Sequence, residues 1–586
     1  MPKRIDKFPW QSCRAFSLLG CLGLLTSTAM VAQSQPPYEQ VSKKSCVMAP
    51  AAGYVESPRE VRSHNGVLKI DLTLRNSPGP DGNMQFCYLD KNGDRSPTLR
   101  VSQGDLVILK LRNQLSGSSK DRAKARQISG CNSIAMGPEV TNLHFHGLSI
   151  SPSCHADDSV RTSIPPSGKA FVYRFRIPAS QSPGLYWYHP HVHGHTEDQV
   201  LGGASGALIV EGAANATPAL EGLPERVIII RDQKLKSVAQ QAIGNDPNLP
   251  AKDLSINFIP IRYPEYKVPT IKMRPLAREF WRVLNASADT YLTLAVVFNG
   301  EWQKTRLVAK HPSWQRLGLV ALDGVPVSEA SSNPEKIVWK TGILVPPGGR
   351  AEFTLQAPAE GVQAELLTVG AEITPPDEDD KLFAPSTGNN ASPNDNDDVT
   401  PPRPLARIVA SDDAPEPPAL DRIHVAINRD QLPSLATVSP VRSRKLYFSE
   451  LIGDVKNPAT STSFFITEEG QVPKKFDPSA LTPNIVVHQG DVEDWTIENR
   501  SRESHVFHIH QSHFLVLERN GEPADDSYLL DTVDVPYWDG RSAQFPSVKL
   551  RMDFRDPEIV GTFPYHCHIL QHSDGGMMGL IEVRPK

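Results

Sequence analysis

Short stretches in which hydrophobic and polar residues alternate recur along most of the chain, and turn residues interrupt them at close intervals. We predict strands at the clearest of these stretches: 66–74, 99–111, 170–177, 207–210, 227–230, 485–487 and 579–583. Alternation with a period of two places neighbouring side chains on opposite faces of a strand, and Gly, Pro and Asn between the stretches are typical of turns. The pattern predicts an all-β architecture of sandwiches or barrels.

The first and last parts of the chain repeat one another. VSQGDLVILKLRN, ending at Asn113, matches VHQGDVEDWTIEN, ending at Asn499; GLYWYHPH (184–191) matches GTFPYHCH (561–568), and GALIV (206–210) matches GLIEV (579–583). A weaker third copy lies between them: PPGGRAEFTL from Pro346 resembles PPSGKAFVYRF from Pro165, and EFWRVLNAS from Glu279 resembles EDWTIENRS from Glu493. Internal repetition of this kind indicates one structural unit present three times. We therefore expect three related β domains.

The repeats also suggest where the domains begin and end. We predict a first domain at 45–215, a middle domain at 222–372 and a last domain at 405–586. Between the last two, residues 373–404 are rich in acidic residues and proline and poor in large apolar residues, so burial cannot offset the entropy of ordering them. We interpret this segment as a linker or a long disordered loop.

Overall composition argues against nucleic acid as a partner and against a helical fold. The 61 basic and 66 acidic residues leave a formal net charge of -5, so the chain lacks the global basic field that attracts nucleic acid. Proline is frequent, at 52 of 586 residues, against a usual share of about 5%, which disfavours long helical bundles. We expect no nucleic-acid partner, and the sequence leaves the oligomeric state open, with a monomer favoured.

The N-terminal segment 1–32 resembles a bacterial secretory signal peptide. Basic residues including Lys3 and Arg14 precede an apolar stretch, and Ser27 and Ala29 offer small residues at a cleavage site. The stretch is interrupted by polar residues and is shorter than the roughly 20 residues of a spanning helix, so we expect no stable membrane span. A lipid attachment site at Cys21 is a further alternative. We expect an exported protein, periplasmic or extracellular.

Cysteine usage agrees with export. Of the seven cysteines, two lie in the signal segment and Cys567 has another role, which leaves Cys46, Cys87, Cys131 and Cys154. Four cysteines allow three pairings, and we favour Cys46 with Cys87 and Cys131 with Cys154. We therefore expect two disulfides, formed in an oxidising compartment.

Histidine pairs separated by one residue are the most informative chemical feature. Six such pairs occur, of which three overlap in HPHVHGH (189–195) and three stand alone at 144/146, 508/510 and 566/568. Side chains two residues apart on a strand share a face, so each pair offers two imidazole nitrogens to one ion. Neutral imidazole suits copper, zinc, iron and nickel, so histidine alone leaves the metal undetermined.

The segment HCHILQHSDGGMM narrows the choice of metal. Cys567 lies between His566 and His568, so on a strand its thiol points away from both imidazoles. His572 and Met577 follow, and His505 precedes the 508/510 pair. One thiolate, two imidazoles and a weak thioether form a blue-copper electron-transfer site.

With these motifs in place, the chain resembles a multicopper oxidase of the three-cupredoxin-domain, laccase-like kind. The motifs that carry the resemblance are HFHG (144–147), HPH (189–191), HVFHIH (505–510) and HCHILQHSDGGM (566–577). The resemblance implies three cupredoxin-like Greek-key domains and four copper ions. It assigns the type 1 copper to His505, Cys567, His572 and Met577, the type 2 copper to His144 and His508, and the type 3 pair to His146, His189, His191, His510, His566 and His568.

Residues next to the motifs leave open which histidines are ligands and how the backbone runs beside them. His193 and His195 continue the alternation beyond His191 and fit a metal equally well by spacing, so only the resemblance selects the first pair. Gln511 stands where many relatives carry glycine, which puts the local backbone geometry in question. We expect His513 to be a bystander.

Comparison of the repeats explains which domains keep copper. Pro190 occupies the place of Cys567 in the first repeat, so that domain cannot build a blue site. The middle repeat has only the isolated His311 and His424, so we expect it to lack copper. The eight paired imidazoles would then meet where the first and last domains touch.

The implied reaction is the one-electron oxidation of a small reducing substrate coupled to the four-electron reduction of dioxygen to water. Asp157 and Asp158 resemble the acid that relatives place near the copper cluster, where oxygen reduction consumes protons; a solvated turn is the other interpretation. Phenolic or aromatic reductants are favoured by default over cuprous or manganous ions.

A copper-tolerance protein without turnover would favour Met-rich donors, but the chain has nine methionines and no Met-rich segment. A copper nitrite reductase would have no coupled copper pair, so the eight histidines argue against it.

Overall fold

The structure is a computed structural model that describes most of the chain beyond the predicted signal segment. The described residues are 46, 48–116, 130–131, 133, 136–166, 169–235, 249–304, 306–329, 336–374, 400–423, 434–453, 462–525 and 528–586. The predicted signal segment 1–32 and His424 lie outside them, as does most of the predicted linker. The fold class predicted from the alternation is confirmed, because strands in six sheets make up nearly all the regular structure of the described residues.

The first domain consists of two sheets around one core. Its strands are β1 (Glu60–Arg62), β2 (Val67–Pro78), β3 (Met84–Leu89), β4 (Thr98–Val101), β5 (Leu106–Asn113), β6 (His144–His146), β7 (Ala170–Arg176), β8 (Gly184–His189) and β9 (Gly206–Val210). The sheet orders are β1-β4-β9-β8-β6 and β3-β2-β5-β7. Short helices follow at α1 (Thr196–Leu201) and α2 (Ala213–Ala216), with a 3₁₀ turn at Pro218–Leu220. Alternate apolar residues such as Leu72, Val101 and Leu109 meet between the sheets.

The predicted single strand at 99–111 is wrong, because β4 and β5 belong to different sheets. The chain crosses from one sheet to the other through a turn in which Gly104 has a φ of 81°. This left-handed conformation favours glycine, so the Gln-Gly-Asp motif marks a crossover rather than the middle of a strand.

The middle domain also has two sheets. Its strands are β10 (Glu225–Lys234), β11 (Lys252–Ile256), β12 (Ile259–Ile261), β13 (Thr270–Met273), β14 (Arg278–Asn285), β15 (Leu292–Gln303), β16 (Arg306–Trp314), β17 (Leu317–Leu322), β18 (Val325–Pro326), β19 (Val338–Lys340), β20 (Ile343–Val345), β21 (Arg350–Gln356), β22 (Ala364–Thr368) and β23 (Arg403–Ala410). One sheet runs β12-β11-β10-β14-β21-β17-β18 with β19 beside β17, and the other runs β13-β23-β22-β15-β16 with β20 beside β15.

The predicted start of the last domain at 405 needs correction. Strand β23 pairs with β22 and β13 of the middle domain, so this domain extends to at least Ala410. Leu405, Ala406 and Ile408 of the strand are buried in the middle core. The chain therefore returns to the middle sheet after the acidic, Pro-rich segment before it enters the last domain.

The last domain contains the remaining strands. They are β24 (Arg442–Leu451), β25 (Ser463–Glu468), β26 (Ile485–His488), β27 (Val492–Asn499), β28 (His505–Ile509), β29 (Phe514–Arg519), β30 (Glu522–Pro523), β31 (Leu529–Leu530), β32 (Thr532–Val535), β33 (Ser547–Asp553), β34 (Gly561–Cys567) and β35 (Met578–Arg584). The sheets run β25-β24-β27-β33-β29-β30, with β31 beside β29, and β26-β35-β34-β28-β32. Helix α3 (Leu570–Asp574) and 3₁₀ turns at Leu435–Thr437 and Pro557–Ile559 complete it.

The three sequence repeats adopt the same pairing. Strands β5, β14 and β27 each pair in parallel with an earlier strand, β2, β10 and β24, and antiparallel with a later one, β7, β21 and β33. The asparagine that closes each repeat has the same role: Oδ1 of Asn113, Asn285 and Asn499 accepts the backbone N–H two residues later, at 2.9, 3.2 and 2.9 Å. Each Nδ2 donates to two backbone carbonyl groups.

The domains are packed against one another through apolar surfaces. Leu185 and Trp187 of the first domain meet Val227 and Leu284 of the middle domain in one buried cluster. In a second cluster, Val200 and Leu201 of α1 contact Ala288 of the middle domain and Leu570 of α3. These contacts bring the two ends of the chain together beside the middle domain.

Two disulfides link Cys46 to Cys87 and Cys131 to Cys154, which is the pairing that we favoured from the sequence, and Cys567 is a free, buried thiol. In the described part of the chain, no helix has the length and apolar character that crossing a membrane requires.

Candidate metal centre

A thiol and two imidazoles meet inside the last domain. Cys567 ends β34, His505 begins β28, and His572 lies on α3. The Cys567 Sγ lies 3.7 Å from Nδ1 of His505 and 3.8 Å from Nδ1 of His572, and the two nitrogens are 3.1 Å apart. The three side chains are almost completely buried. This triangle of one sulfur and two nitrogens is the donor set of a trigonal His₂Cys site.

The outer nitrogens of the two imidazoles contact carboxylate groups. Nε2 of His505 lies 2.7 Å from the Ser501 hydroxyl and 3.0 Å from a carboxylate oxygen of Glu450. Nε2 of His572 lies 3.1 Å from a carboxylate oxygen of Glu503. These contacts turn both Nδ1 atoms towards Cys567, as the outer partners of metal-binding histidines usually do. The Glu450 and Glu503 side chains are 12% and 13% exposed, so each joins the buried site to the surface.

The two ends of the chain bring eight imidazoles together between the first and last domains. In β6 and β8, His144 pairs with His189, and in β28 and β34, His508 pairs with His566. The rings of His144 and His510 stack at 3.6 Å, and those of His146 and His508 stack at 4.0 Å. The predicted meeting of both ends of the chain is therefore present in the structure.

Donor atoms divide the eight imidazoles into distinct groups. His146, His189 and His568 form one set of three, and His191, His510 and His566 form another; within each set the donor atoms lie within 4.8 Å of one another. The remaining two, His144 and His508, form a third group with His146. The sequence alone did not separate the six expected type 3 ligands into two groups of three.

In three of these imidazoles a hydrogen bond from Nδ1 leaves Nε2 free for a metal ion. Nδ1 of His189 donates to the Pro190 carbonyl at 2.9 Å, Nδ1 of His508 to the Asp531 carbonyl at 2.7 Å, and Nδ1 of His144 to the Asp157 carboxylate at 2.9 Å. Their Nε2 atoms are buried and have no hydrogen-bond partner among the described residues. A buried donor or acceptor rarely stays unpaired in a folded protein, so these atoms fit metal ligands.

Electrostatics keep the imidazoles in the form that binds metal. Burial, which disfavours the charged ring, is the main cause that lowers the pKa well below its ordinary value in six of them: His146, His189, His191, His508, His510 and His568. For His566 the same cause lowers the pKa to about 4. Neutral rings have the free lone pair that a copper, zinc or iron ligand needs.

The middle domain supplies a buried arginine that supports this centre. The Arg350 guanidinium donates to both oxygens of Asp531 at 2.7 and 2.6 Å and to the Leu185 carbonyl of the first domain at 3.2 Å. Burial alone would raise the pKa of Asp531, but Arg350 holds it well below its usual range. Asp531 in turn accepts from His508 through its carbonyl and lies 3.1 Å from Nε2 of His146. One side chain thus touches all three domains and fixes the partner of two candidate ligands.

The two acids predicted near the centre differ in their contacts. Asp157 is buried, and its carboxylate accepts from Nδ1 of His144, from the Phe145 amide at 3.0 Å and from the Gln511 side chain. Asp158 accepts from the Arg161 amide at 3.0 Å, and burial raises the pKa of its carboxyl group above the ordinary value. A role for either residue in proton delivery stays a prediction.

The remaining candidates lie outside the donor groups described above. The His193 ring packs against Phe476 with the ring centres 4.9 Å apart. Nε2 of His513 lies 3.1 Å from the Asp323 carbonyl and 3.4 Å from Asp531, so it belongs to the network around Arg350. His311 of the middle domain is exposed. Met577 is buried next to Cys567, whose amide donates to its carbonyl at 3.1 Å; a thioether ligand at this position stays a prediction.

Sequence reasoning missed Glu450, Glu503, Arg350 and Asp531. For Arg350 a signal existed, because the alignment of PPGGR with PPSGK places a basic residue at the same position of two repeats. No motif marks the other three, since they act through contacts between distant segments.

Comparison with protein families agrees with this geometry. A family model described as multicopper oxidase matches residues 454–586, and a second model with the same description matches residues 123–215. The matched segments include the Cys567 site and the eight imidazoles.

Relatives that match more than four-fifths of the chain are also described as multicopper oxidases. The chain is 24% identical over 497 residues to a multicopper oxidase of Staphylococcus haemolyticus, covering 83% of this chain and 81% of the relative. It is 22% identical over 537 residues to an iron transport multicopper oxidase of Gibberella zeae, covering 86% and 74%.

Solved structures show the same fold. A multicopper oxidase from Campylobacter jejuni, described as a metallo-oxidase, superposes with a TM-score of 0.59 at 21% identity, covering 91% of this chain and 96% of its own. The multicopper oxidase McoA of Aquifex aeolicus superposes with a TM-score of 0.58 at 18% identity, covering 91% and 100%.

Proposed function

The chain belongs to the multicopper oxidase family, and from this premise we propose that it binds four copper ions and couples one-electron oxidation of a small reducing substrate to the four-electron reduction of dioxygen to water. One observation carries the proposal. The segment His566–Cys567–His568 places a thiol in the buried donor set of His505 and His572, and each of its two neighbouring imidazoles in one of the two buried sets of three imidazoles. A single strand end therefore joins a one-electron site to a cluster.

The donor chemistry fits copper at both sites. His505, Cys567, His572 and Met577 would hold one ion, His144 and His508 a second, and the two sets of three imidazoles the remaining pair. Copper, when bound, would supply the one-electron redox steps and the reduction of dioxygen. Burial of all twelve side chains keeps water from the ligands and from the connecting segment.

The chain's own residues would orient the ligands and manage protons. Asp157 and Asp531 hold His144 and His508 with their Nε2 atoms turned inward. Reduction of dioxygen to water consumes four protons. We propose that Asp157 or Asp158 delivers them, since Asp157 contacts the candidate ligand His144 and Asp158 is its buried neighbour.

Phenolic or aromatic reductants remain our first proposal for the substrate. A phenol loses a proton as it loses an electron, and the partly exposed Glu450 and Glu503 carboxylates at the imidazole edges could accept an O–H hydrogen bond and that proton. The same two carboxylates favour a second candidate, a reducing metal cation such as a cuprous or manganous ion, because two negative charges beside the site attract cations.

We also propose that the protein is exported to the periplasm or the extracellular space and acts as a monomer. The basic and apolar pattern of residues 1–32 supports export, and two disulfides suit an oxidising compartment.

Oxygen uptake and copper content, measured together on the purified protein, test the proposal. We expect four coppers per chain and four electrons taken from the reductant for each dioxygen consumed. Copper binding without oxygen uptake for any reductant in a panel would instead indicate a copper-tolerance protein.

The substrate class can be tested with Glu450→Gln and Glu503→Gln. If the reductant is a cation, loss of charge raises KM with little change in kcat; if it is a phenol, loss of the proton acceptor lowers kcat with little change in KM. Glu522→Gln, at an exposed position in the same domain, is the control and should change neither constant.

A further inference from the structure

Gln511 has an unusual backbone conformation directly after the ligand candidate His510. Its φ is 57°, in the left-handed region that glycine favours, yet the residue carries a long polar side chain that is 1% exposed. A residue with a Cβ adopts this region at a cost in free energy, and such strain persists where surrounding contacts enforce it. The resemblance put this position in question because many relatives carry glycine here.

The side chain of Gln511 reaches from the last domain to the first. Its Nε2 donates a hydrogen bond to Oδ2 of Asp157, the same oxygen that accepts from Nδ1 of His144 at 2.9 Å. The other carboxylate oxygen of Asp157 accepts from the Phe145 amide at 3.0 Å. Three donors therefore hold this carboxylate, and Gln511 is the one that belongs to the other domain.

A second contact crosses the interface at the same place. The rings of His144 and His510 stack with centres 3.6 Å apart and an angle of 17° between their planes. The stacked rings and the Gln511 to Asp157 hydrogen bond thus form two adjacent links between the first and last domains. Displacement of either link would move His144 relative to His510.

We propose that Gln511 is a positioning residue, whose amide fixes the Asp157 carboxylate and thereby the His144 ring in the orientation that retains copper at the His144 and His508 pair. The proposal rests on the proposed function, because it assigns that pair to a copper ion. Without the amide, the carboxylate keeps its two first-domain donors but loses the donor that ties it to the last domain. His144 then still donates to Asp157, but no side-chain hydrogen bond among the described residues ties the Asp157 carboxylate to the last domain.

Substitutions at 511 separate the side chain from the strained backbone. Gln511→Gly relieves the backbone and removes the amide, whereas Gln511→Ala keeps the strain and removes the amide. Gln511→Glu keeps the size of the side chain but places a carboxylate against Asp157. Copper retention during incubation with a chelator is followed by electron paramagnetic resonance, which separates the blue signal from the signal of the His144 and His508 copper, and the apo-protein is melted in parallel.

All three variants should lose the His144 and His508 copper faster than wild type, by up to about 10-fold, the lower end of the effect for partners bonded directly to a ligand, because Gln511 acts through Asp157. The blue signal should be unchanged. The melting temperature of the apo-protein should fall for Gln511→Ala but not for Gln511→Gly. Adding Gln511→Ala to Asp157→Ala should cause little loss of copper beyond that of Asp157→Ala alone, because Gln511 acts on His144 only through the Asp157 carboxylate.

The control is Asn520→Ala, in the same domain. Asn520 has a φ of 53° and its side chain accepts from the Ser547 amide at 2.9 Å, so this variant also removes an amide from a left-handed position. It should retain copper like wild type.

Wild-type copper retention in Gln511→Gly would overturn the proposal, because the Gln511 side chain would then have no part in holding the copper. Equal copper loss in the Asn520→Ala control would do the same. A wild-type protein that binds no copper would contradict the proposed function instead, so the two failures are distinguishable.

Discussion

Gly348 of the middle domain lies directly against a candidate ligand of the cluster, and Gly348→Ala tests this approach. A Cβ built at this position would lie 2.6 Å from Cε1, 2.7 Å from Nε2 and 2.8 Å from Nδ1 of His568. Ordinary contacts begin at 3.4 Å, so the ring must retreat by at least 0.8 Å, the difference between 3.4 and 2.6 Å. Metal–ligand distances tolerate about 0.2 Å. The required displacement of the His568 ring is therefore about four times the variation that a metal–ligand distance tolerates.

The same substitution also strains the backbone. Gly348 has a φ of 82°, where a residue with a Cβ is destabilised by about 1–2 kcal/mol, and overpacking of a buried site adds about 1–3 kcal/mol. Gly361→Ala separates the two effects, since Gly361 has a φ of 78° in the same domain and a Cβ there would meet nothing within 4 Å. In both variants the backbone strain should lower the free energy of unfolding. In Gly348→Ala it should fall further, because overpacking adds to the strain.

Elemental analysis and electron paramagnetic resonance measure the outcome. We expect Gly348→Ala to bind less copper than wild type and to reduce dioxygen slowly, with its blue absorption retained because the Cys567 site is separate. Gly361→Ala should bind copper and turn over like wild type. Equal copper content and turnover in the two variants would refute the close packing of the middle domain on His568.

The other predictions concern the Cys567 site and the cluster of eight imidazoles. Cys567→Ser should abolish the blue absorption and oxidase activity together while three coppers stay bound. His508→Ala should keep the blue absorption but lose one copper and oxygen reduction, whereas His193→Ala should keep both. Met577→Leu should stay blue with a higher reduction potential in a redox titration, because loss of a weak thioether donor favours cuprous copper, and Met578→Leu should leave the potential unchanged.

Each of these predictions has a result that would contradict it. A blue Cys567→Ser protein would refute the thiolate assignment. Loss of copper in His193→Ala would show that the wrong pair was chosen in HPHVHGH. A potential that shifts in Met578→Leu instead of Met577→Leu would exchange the two methionines.

Local pattern and repetition in the sequence determined the architecture and the residue types at the centre. Alternation with a period of two predicted strands, and the repeats predicted three related units, because both signals arise from short-range geometry that each copy contains in full. The order of His566, Cys567 and His568 also sufficed to place the thiol and the imidazoles on opposite sides of a strand. Even the asparagine that closes each repeat, such as Asn113, has the same role in the structure as its counterparts.

Tertiary structure alone decided how distant residues combine. Four features depend on contacts between segments that lie far apart in the chain. They are the division of the eight imidazoles into groups, the ion pair of Arg350 with Asp531, the hydrogen bond from Gln511 to Asp157 and the pairing of β23 with the middle sheet. Such contacts leave no periodic signal, because the partner of a side chain is set by domain packing and not by its neighbours in sequence. The candidate ligands could therefore be proposed from the sequence and its resemblance to a family, whereas the residues that hold them in place could not.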